Sequence, residues 1–169
     1  MTPRALDWRS VRPKLRKIGE LLDTLRGFGA LDGDRLRAEE RTALATERIL
    51  TLVVELAFAV NSHVAVARLQ RAPDSYAESF ALAAKAGLIN AQLAARLSPS
   101  AAMRNVLVHV YMEVDYDRVA DAVPLTVEWY GEYVRQVAGV DAGARTRRLD
   151  SSDMTPRRDA TCLAGAGGR

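Results

Sequence analysis

The segment MRNVLVHVY, residues 103–111, is mostly apolar but contains four side chains that could take part in binding or catalysis: Arg104, Asn105, His109 and Tyr111. Histidine titrates near neutral pH, so it can act as a general acid or base. The guanidinium of an arginine binds phosphate and other anions and can stabilise charge that develops in a transition state. These residue types therefore fit acid–base chemistry at a bound anion, where Asn105 could orient His109 or contact the anion.

The spacing within this segment limits what one helix can assemble. At about 100° per residue, the step from Arg104 to His109 places the two side chains about 140° apart, so they do not aim at one point. Asn105 and His109 share a face, as do Arg104 and Tyr111. An Arg–His site therefore needs either a backbone turn near His109 or a second copy of the chain that supplies the missing group across a two-fold axis.

Other polar features have ordinary structural explanations. His63 recurs at helical spacing with Leu56, Ala59 and Val66, which favours a core or interface histidine over a catalytic one. The sequence GFG at 27–29 follows a helical pattern, whereas a phosphate-binding glycine loop should follow a strand. An isolated helical arginine or histidine is usually a cap or a solvated side chain. Neither Arg104 nor His109 is an obvious core anchor, so their substitution should leave the chain folded.

Aromatic and basic clusters also favour structural roles. Trp129, Tyr130 and Tyr133 lie close together on one predicted helix, where helix packing is a commoner role than stacking on nucleic-acid bases. The basic run between Arg4 and Lys17 is interpreted as a solvated face, with RNA contact as the alternative.

Composition indicates an all-α protein. The 169 residues suffice for one domain with a single core, aliphatic residues are plentiful, and alternation typical of strands is absent. Cys162 is the only cysteine, so a disulfide framework or a zinc cluster is excluded. Asp, Glu and His show no metal-ligand spacing, which argues against a two-metal nuclease. We predict an antiparallel bundle of about four to six helices and no bound metal or cofactor.

Charge and hydropathy limit the partners and the cellular location that the sequence predicts. Of the net charge of +3, residues 141–169 carry +2 from six arginines and four aspartates, so residues 1–140 lack the broad basic face of a duplex-coating protein. The N-terminal stretch lacks the apolar centre of a signal peptide. Residues 49–69 are the most apolar stretch, but their longest charge-free run, 56–67, is too short to span a bilayer. We expect a buried helix here and a cytosolic protein.

Apolar spacing and cap residues predict the first helices. The first covers about 6–29, and a longer one begins somewhere within 34–44 and runs to about Arg71. A third short helix begins with a Ser75–Glu78 capping box and ends near Gly87.

The second half of the chain contains the motif helix and a long terminal helix. One or two turns at 90–97 are followed by the motif helix, with Ser98 as its cap and Pro99 at its first position. Residues 113–117 form a break, after which Asp115 or Asp117 caps a final helix. This helix should end near 138 and be kinked or split by Pro124. Residues 1–140 form the predicted domain, and 141–169 are a predicted disordered tail.

Here the chain resembles a known family. Arg104-Asn-Val-Leu-Val-His109-Val-Tyr111 matches the Arg-x4-His-x-Tyr signature of the HepT-type toxins, within the HEPN superfamily and its Arg-x4–6-His motif. The segment 47–69 with its Asn-x-His ending, the segment 73–89 and the segment 114–123 are similar to the family's other helices. The resemblance covers about 4–138; the tail and Pro124 depart from the family pattern.

The resemblance implies a small helical homodimer that joins through its long apolar helix and its motif helix. It also implies a metal-independent endoribonuclease acting on RNA, with Arg104 and His109 as catalytic residues and Asn105 in support. The family's usual partner is an MntA-type nucleotidyltransferase antitoxin, which is thought to silence the toxin by transferring AMP to the motif tyrosine, here Tyr111. The alternative is a non-catalytic helical module that binds a nucleotide or docks on a nucleotidyltransferase and uses the motif only as an anion site.

Overall fold

The structure, a computed structural model, describes residues 6–109 and 114–152, and these form seven α-helices without a strand. The helices are α1 (Trp8–Gly27), α2 (Gly33–Ala38), α3 (Glu40–Leu69), α4 (Tyr76–Lys85), α5 (Ala91–Leu97), α6 (Ser100–His109) and α7 (Tyr116–Ser152). The predicted all-α class is confirmed. The count exceeds the predicted four to six helices because a short helix precedes the long apolar one.

The extra helix results from a backbone break at Glu39. Asp32 begins α2 by accepting a hydrogen bond from the Arg35 backbone N–H. Glu39 then has φ −112° and ψ 78°, which lies outside the helical region, so α3 starts anew at Glu40. This start falls within the predicted 34–44.

Helix α3 forms the centre of the bundle. It contacts α1, α2, α4, α6 and α7, and thirteen of its residues are buried. By length and composition alone α3 could cross a membrane, but 56% of its most apolar stretch is buried within the bundle. The predicted buried helix is confirmed, since a core helix of a globular domain is apolar on several faces.

Tyrosines of α7 and polar groups of α3 and α4 meet inside the core. The Tyr133 hydroxyl donates a hydrogen bond to Asn61 Oδ1 at 2.8 Å, and Asn61 Nδ2 donates to Ser79 Oγ at 3.3 Å. The Phe80 and Tyr130 rings lie 6.4 Å apart, and burial raises the pKa of both tyrosines. These contacts confirm that Tyr130 and Tyr133 serve helix packing.

The predicted caps agree with the structure at two positions and fail at a third. The Ser75 hydroxyl accepts the Glu78 N–H, although the Glu78 carboxylate accepts the N–H of Asp74 and not that of Ser75. Asp115 caps α7 by accepting the Arg118 N–H at 3.2 Å. The cap predicted at Ser98 is wrong, because its backbone is helical (φ −52°, ψ −41°) and closes α5, and α6 begins at Ser100.

Helix α7 is longer than predicted. It is one helix from Tyr116 to Ser152, so Pro124 does not split it, and the predicted end near 138 is wrong. Beyond 138, Asp141 is buried and its carboxylate accepts two hydrogen bonds from the Arg12 guanidinium, at 2.8 and 2.9 Å. Residues 141–152, placed in the predicted tail, are therefore helical; the rest of that tail lies outside the described residues.

We expect Asp141→Asn to lower the free energy of unfolding by about 1–2 kcal/mol, because the charged bond that joins α7 to α1 is lost. Asp23→Asn, which breaks the exposed Arg26–Asp23 pair on α1, should change it little. Denaturant titrations of both variants and the wild type provide the measurement.

The effect of Asp141→Asn should also depend on pH. Arg12 lowers the pKa of the Asp141 carboxyl below its ordinary value, so this group stabilises the folded state fully above about pH 4. The difference between wild type and variant should shrink as the pH falls through the lowered pKa. A difference that stays constant down to the acid transition would contradict this account.

Candidate active site

The motif helix α6 lies against α3 and α4 with one face inward and one outward. Ala101 is buried, and Leu107 packs against the core. Asn105 is exposed, and Val106 is 50% exposed. The helix is therefore amphipathic, and the positions of the candidate residues are divided between the two faces.

Arg104 lies on the inward face and is largely enclosed by its own chain. Its side chain is only 16% exposed, and its Nη2 donates to Glu55 Oε1 of α3 at 2.9 Å. The guanidinium carbon lies 4.7 Å from the centre of the Tyr76 ring of α4, a cation–π geometry. Its Nη1 lies 3.5 Å from Asn105 Oδ1. Arg104 therefore joins α6 to α3 and α4, and the expectation that its substitution leaves the chain folded stays a prediction.

Tyr76 is itself held in place at the start of α4. Its ring packs against Phe58 of α3 with the ring centres 4.5 Å apart, and its carbonyl accepts the Ser79 hydroxyl. The guanidinium of Arg104 is thus held between a carboxylate of α3 and an aromatic ring of α4.

Glu55 and Tyr76 were missed by the sequence analysis. One signal was present: Glu55 is the only acidic residue between 49 and 67, within the most apolar stretch of the chain, and no lysine or arginine lies in this range. A lone carboxylate in a buried helix requires a partner, because burying an unpaired charge is costly.

The positions of His109 and Arg104 do not share a face of α6. His109 is the last residue of the helix, and its position falls on the outward arc, between the positions of Asn105 and Val106. Arg104 faces inward, as the predicted offset of about 140° requires. Tyr111 lies outside the described residues.

The contacts of the remaining candidate residues are typical of structural roles. His63 is half-buried where α3 meets α1, and its Nε2 lies 3.4 Å from Ser10 Oγ. The glycine-rich sequence at 27–29 ends α1, where Gly29 has φ +72°. Arg9 and Arg16 are exposed on α1, as a solvated basic face requires. Within the described residues, no three His, Cys, Asp or Glu side chains are grouped so as to hold a metal.

An apolar groove lies beside the outward face of α6. It encloses about 200 Å³ between α3, α6 and α7 and is lined by Leu50, Val54, Met103, Leu125 and Trp129, among others. Leu125 is 43% exposed at this groove. Met103 and Val106 are one helical turn apart, so the groove and the exposed part of α6 form a continuous apolar surface.

Residues 18–137, from the second half of α1 to most of α7, match the HepT-like ribonuclease family. The chain belongs to this family. It is 32% identical over 129 residues to the tRNA nuclease HepT of Aphanizomenon flos-aquae, which covers 75% of this chain and 86% of that protein.

The fold of this HepT-like chain is shared with solved structures. A tri-AMPylated HEPN toxin of Shewanella oneidensis, in complex with MNT antitoxin, matches with a TM-score of 0.68 at 21% identity, covering 77% of this chain and 97% of that one. A toxin–antitoxin structure with AMP-PNP matches with a TM-score of 0.69 at 20% identity, covering 78% and 98%. The cytosolic protein YutE of Bacillus subtilis, of unknown function, matches with a TM-score of 0.67 at 16% identity, covering 89% and 95%.

The family match includes the whole motif helix with Arg104 and His109. It also includes Glu55 and Tyr76, so the inward contacts of Arg104 belong to the HepT-like part of the chain. By contrast, Arg12 and Asp141 lie outside the match, one before it and one after it.

Proposed function

We propose that this HepT-like protein is the toxin of a toxin–antitoxin pair and a metal-independent endoribonuclease. The observation that carries the proposal is the Arg-x4-His-x-Tyr motif on α6 of a chain that belongs to a ribonuclease family. Arg104 and His109 are the proposed catalytic residues, with Asn105 in support. The similar tRNA nuclease suggests that the RNA substrate is a tRNA. The cytosol is the proposed location.

The chemistry requires three roles. A base removes the proton of a ribose 2′-hydroxyl, the 2′-oxygen attacks the phosphorus, and an acid protonates the leaving 5′-oxygen. Histidine suits both proton transfers because its pKa is near neutral. Arginine suits the third role, stabilisation of the negative phosphorane. None of these steps requires a metal, and no step needs a residue type that the motif lacks.

A homodimer would supply the groups that one chain separates. In a single chain Arg104 faces inward, while position 109 falls on the outward arc of α6, and an apolar groove runs along the same helix at Met103. A second copy that packs on this groove and on Val106 would place two motif helices side by side. Two copies then offer two histidines, one for each proton transfer.

The proposed partner is an MntA-type nucleotidyltransferase that adds AMP to Tyr111. The similar HEPN toxin of Shewanella oneidensis is AMPylated and bound to an MNT antitoxin, which supports this proposal. An AMP group adds one negative charge and a bulky nucleoside next to the motif. Its phosphate would compete with RNA for Arg104, and the nucleoside would fill the cleft.

A second candidate function is a non-catalytic module that binds a nucleotide or docks on a nucleotidyltransferase. It is favoured by the inward, ion-paired position of Arg104 in a single chain. The two functions differ over His109: the module tolerates its loss, whereas the enzyme does not.

We expect the protein to cleave RNA in the presence of EDTA and expect His109→Ala to lose this activity by at least about 10²-fold, the contribution typical of a positioned acid or base. Arg104→Lys should also be severely impaired, because an ammonium lacks the planar fork of donors. Cleavage of a tRNA pool, followed on denaturing gels, provides the measurement. If His109→Ala cleaves as fast as the wild type, the ribonuclease that uses His109 is excluded, and the non-catalytic binding module is the hypothesis that is left.

We expect the wild type to be a dimer at micromolar concentration and Leu125→Asp or Val106→Asp to shift it towards monomer, because a carboxylate would be buried in the interface. Val66→Asp is the matched control, since Val66 is 43% exposed but lies about 18 Å along α3 from Val54 at the groove. Sedimentation velocity distinguishes the states. A wild type that sediments as a stable monomer would exclude the dimer.

After co-expression with the cognate nucleotidyltransferase, we expect a mass increase corresponding to AMP on Tyr111. The modified protein should stay folded and lose ribonuclease activity, because phosphate and nucleoside obstruct the site. Tyr111→Phe should remain active and escape silencing, and Tyr116→Phe is the control that should still be silenced. Peptide mass spectrometry locates the adduct; an adduct on Tyr116 or Tyr130 would refute the assignment.

A further inference from the structure

Arg104 is fixed by contacts that the proposed reaction does not itself supply. Glu55 of α3 accepts a hydrogen bond from Nη2 at 2.9 Å, and Tyr76 of α4 lies under the guanidinium at 4.7 Å. The side chain of Glu55 is 31% exposed and that of Arg104 is 16% exposed, so the pair lies at the edge of the core.

We propose that Glu55 is a positioning residue of the active site, which holds the Arg104 guanidinium against Tyr76 before RNA binds. This inference rests on the proposed ribonuclease function. Glu55 does not touch the RNA in this scheme. It acts through Arg104, whose remaining N–H groups it orients towards the phosphate.

A carboxylate at position 55 is not explained by stability alone. Glu55 is the only acidic residue between 49 and 67 of a mostly apolar helix, and no lysine or arginine lies in this range. Replacing both members of a partly buried ion pair by apolar residues is often neutral or stabilising, so stability alone does not require the combination of Glu55 with Arg104. Nor does Arg104 need a carboxylate to stay charged, since arginine is protonated at any physiological pH. We therefore assign to Glu55 the role of fixing the orientation of the Arg104 guanidinium.

The pattern of donors supports this role. A guanidinium has five N–H groups, of which Glu55 accepts one from Nη2, and Asn105 Oδ1 lies 3.5 Å from Nη1. The Nε of Arg104 is buried and has no hydrogen-bond partner among the described residues. Donors for a phosphate are therefore left on the two Nη atoms, and their direction is set by Glu55 and Tyr76. When these N–H donors are oriented before RNA binds, no conformational entropy of the Arg104 side chain is lost on reaching the transition state.

The same carboxylate also has an opposing effect, because its negative charge repels a phosphate. If repulsion dominated, Glu55 would be an inhibitory competitor, and its neutralisation would strengthen RNA binding and speed cleavage. The partial exposure of Glu55 favours the positioning role, since water screens its charge. The two effects predict opposite results for one substitution.

The kinetic test uses Glu55→Gln in the full chain, with tRNA as substrate and EDTA present. We expect kcat to fall about 10-fold or more, with KM changed by less than about twofold, because geometry in the transition state is lost while binding is retained. Asp141→Asn is the matched control: it breaks another Arg–carboxylate pair, at Arg12, and should lower stability while leaving kcat unchanged. A Glu55→Gln variant that binds RNA more tightly and cleaves at least as fast would overturn the proposal.

A second readout does not depend on activity. In 15N-labelled protein, the buried Arg104 Nε–H should give a slowly exchanging side-chain signal, assigned by its absence in Arg104→Lys. Its exchange with water should become at least about tenfold faster in Glu55→Gln and stay unchanged in Asp141→Asn. An unchanged signal in Glu55→Gln would overturn the positioning role. If the wild type cleaves no RNA, the proposed function fails, and this signal still decides whether Glu55 holds Arg104.

Discussion

Five other helices cover the apolar faces of α3. The buried polar side chains of this helix therefore need hydrogen-bond or ion-pair partners within the protein. Thr46 and Thr51 satisfy their hydroxyls by donating to carbonyls one turn earlier in the same helix. Asn61 bonds to both Tyr133 and Ser79. The carboxylate of Glu55, which is partly buried, pairs with a cation of another helix, Arg104 of α6. The position of the motif arginine is therefore tied to the helix that forms the core.

Features that depend on local patterns could be predicted from the sequence. Apolar spacing defined α1 and α3, and Asp115 marked the start of α7, because a cap acts on its own first turn. The Ser98 cap failed because Ser98 itself has a helical backbone and closes α5. The end of α7 could not be foreseen, since Asp141 is buried by a partner 129 residues earlier in the chain.

In the candidate site too, local features could be predicted from the sequence and contacts between distant segments could not. Arg104 and His109 were found by residue type and spacing, and the offset between them follows from helical geometry alone. Tyr76 and Glu55 were not found, because their contacts with Arg104 join three helices that are distant in sequence. Only the isolation of one acidic residue in an apolar stretch hinted at the pair. A similar rule could be applied to other chains: a lone carboxylate in a core helix predicts that a cation of another element lies opposite it.

The two faces of α6 explain why the proposed function requires a second copy of the chain. The inward face fixes Arg104 through Glu55, and this contact is complete within one chain. The outward arc holds Asn105, Val106 and the position of His109, and it continues into the apolar groove. In the proposed dimer, the surface that recruits the second copy is thus the surface that holds the acid–base residue. Association would assemble the histidines, while the arginine is already in place. Catalysis would then depend on the concentration of dimer, and the Glu55–Arg104 pair would not.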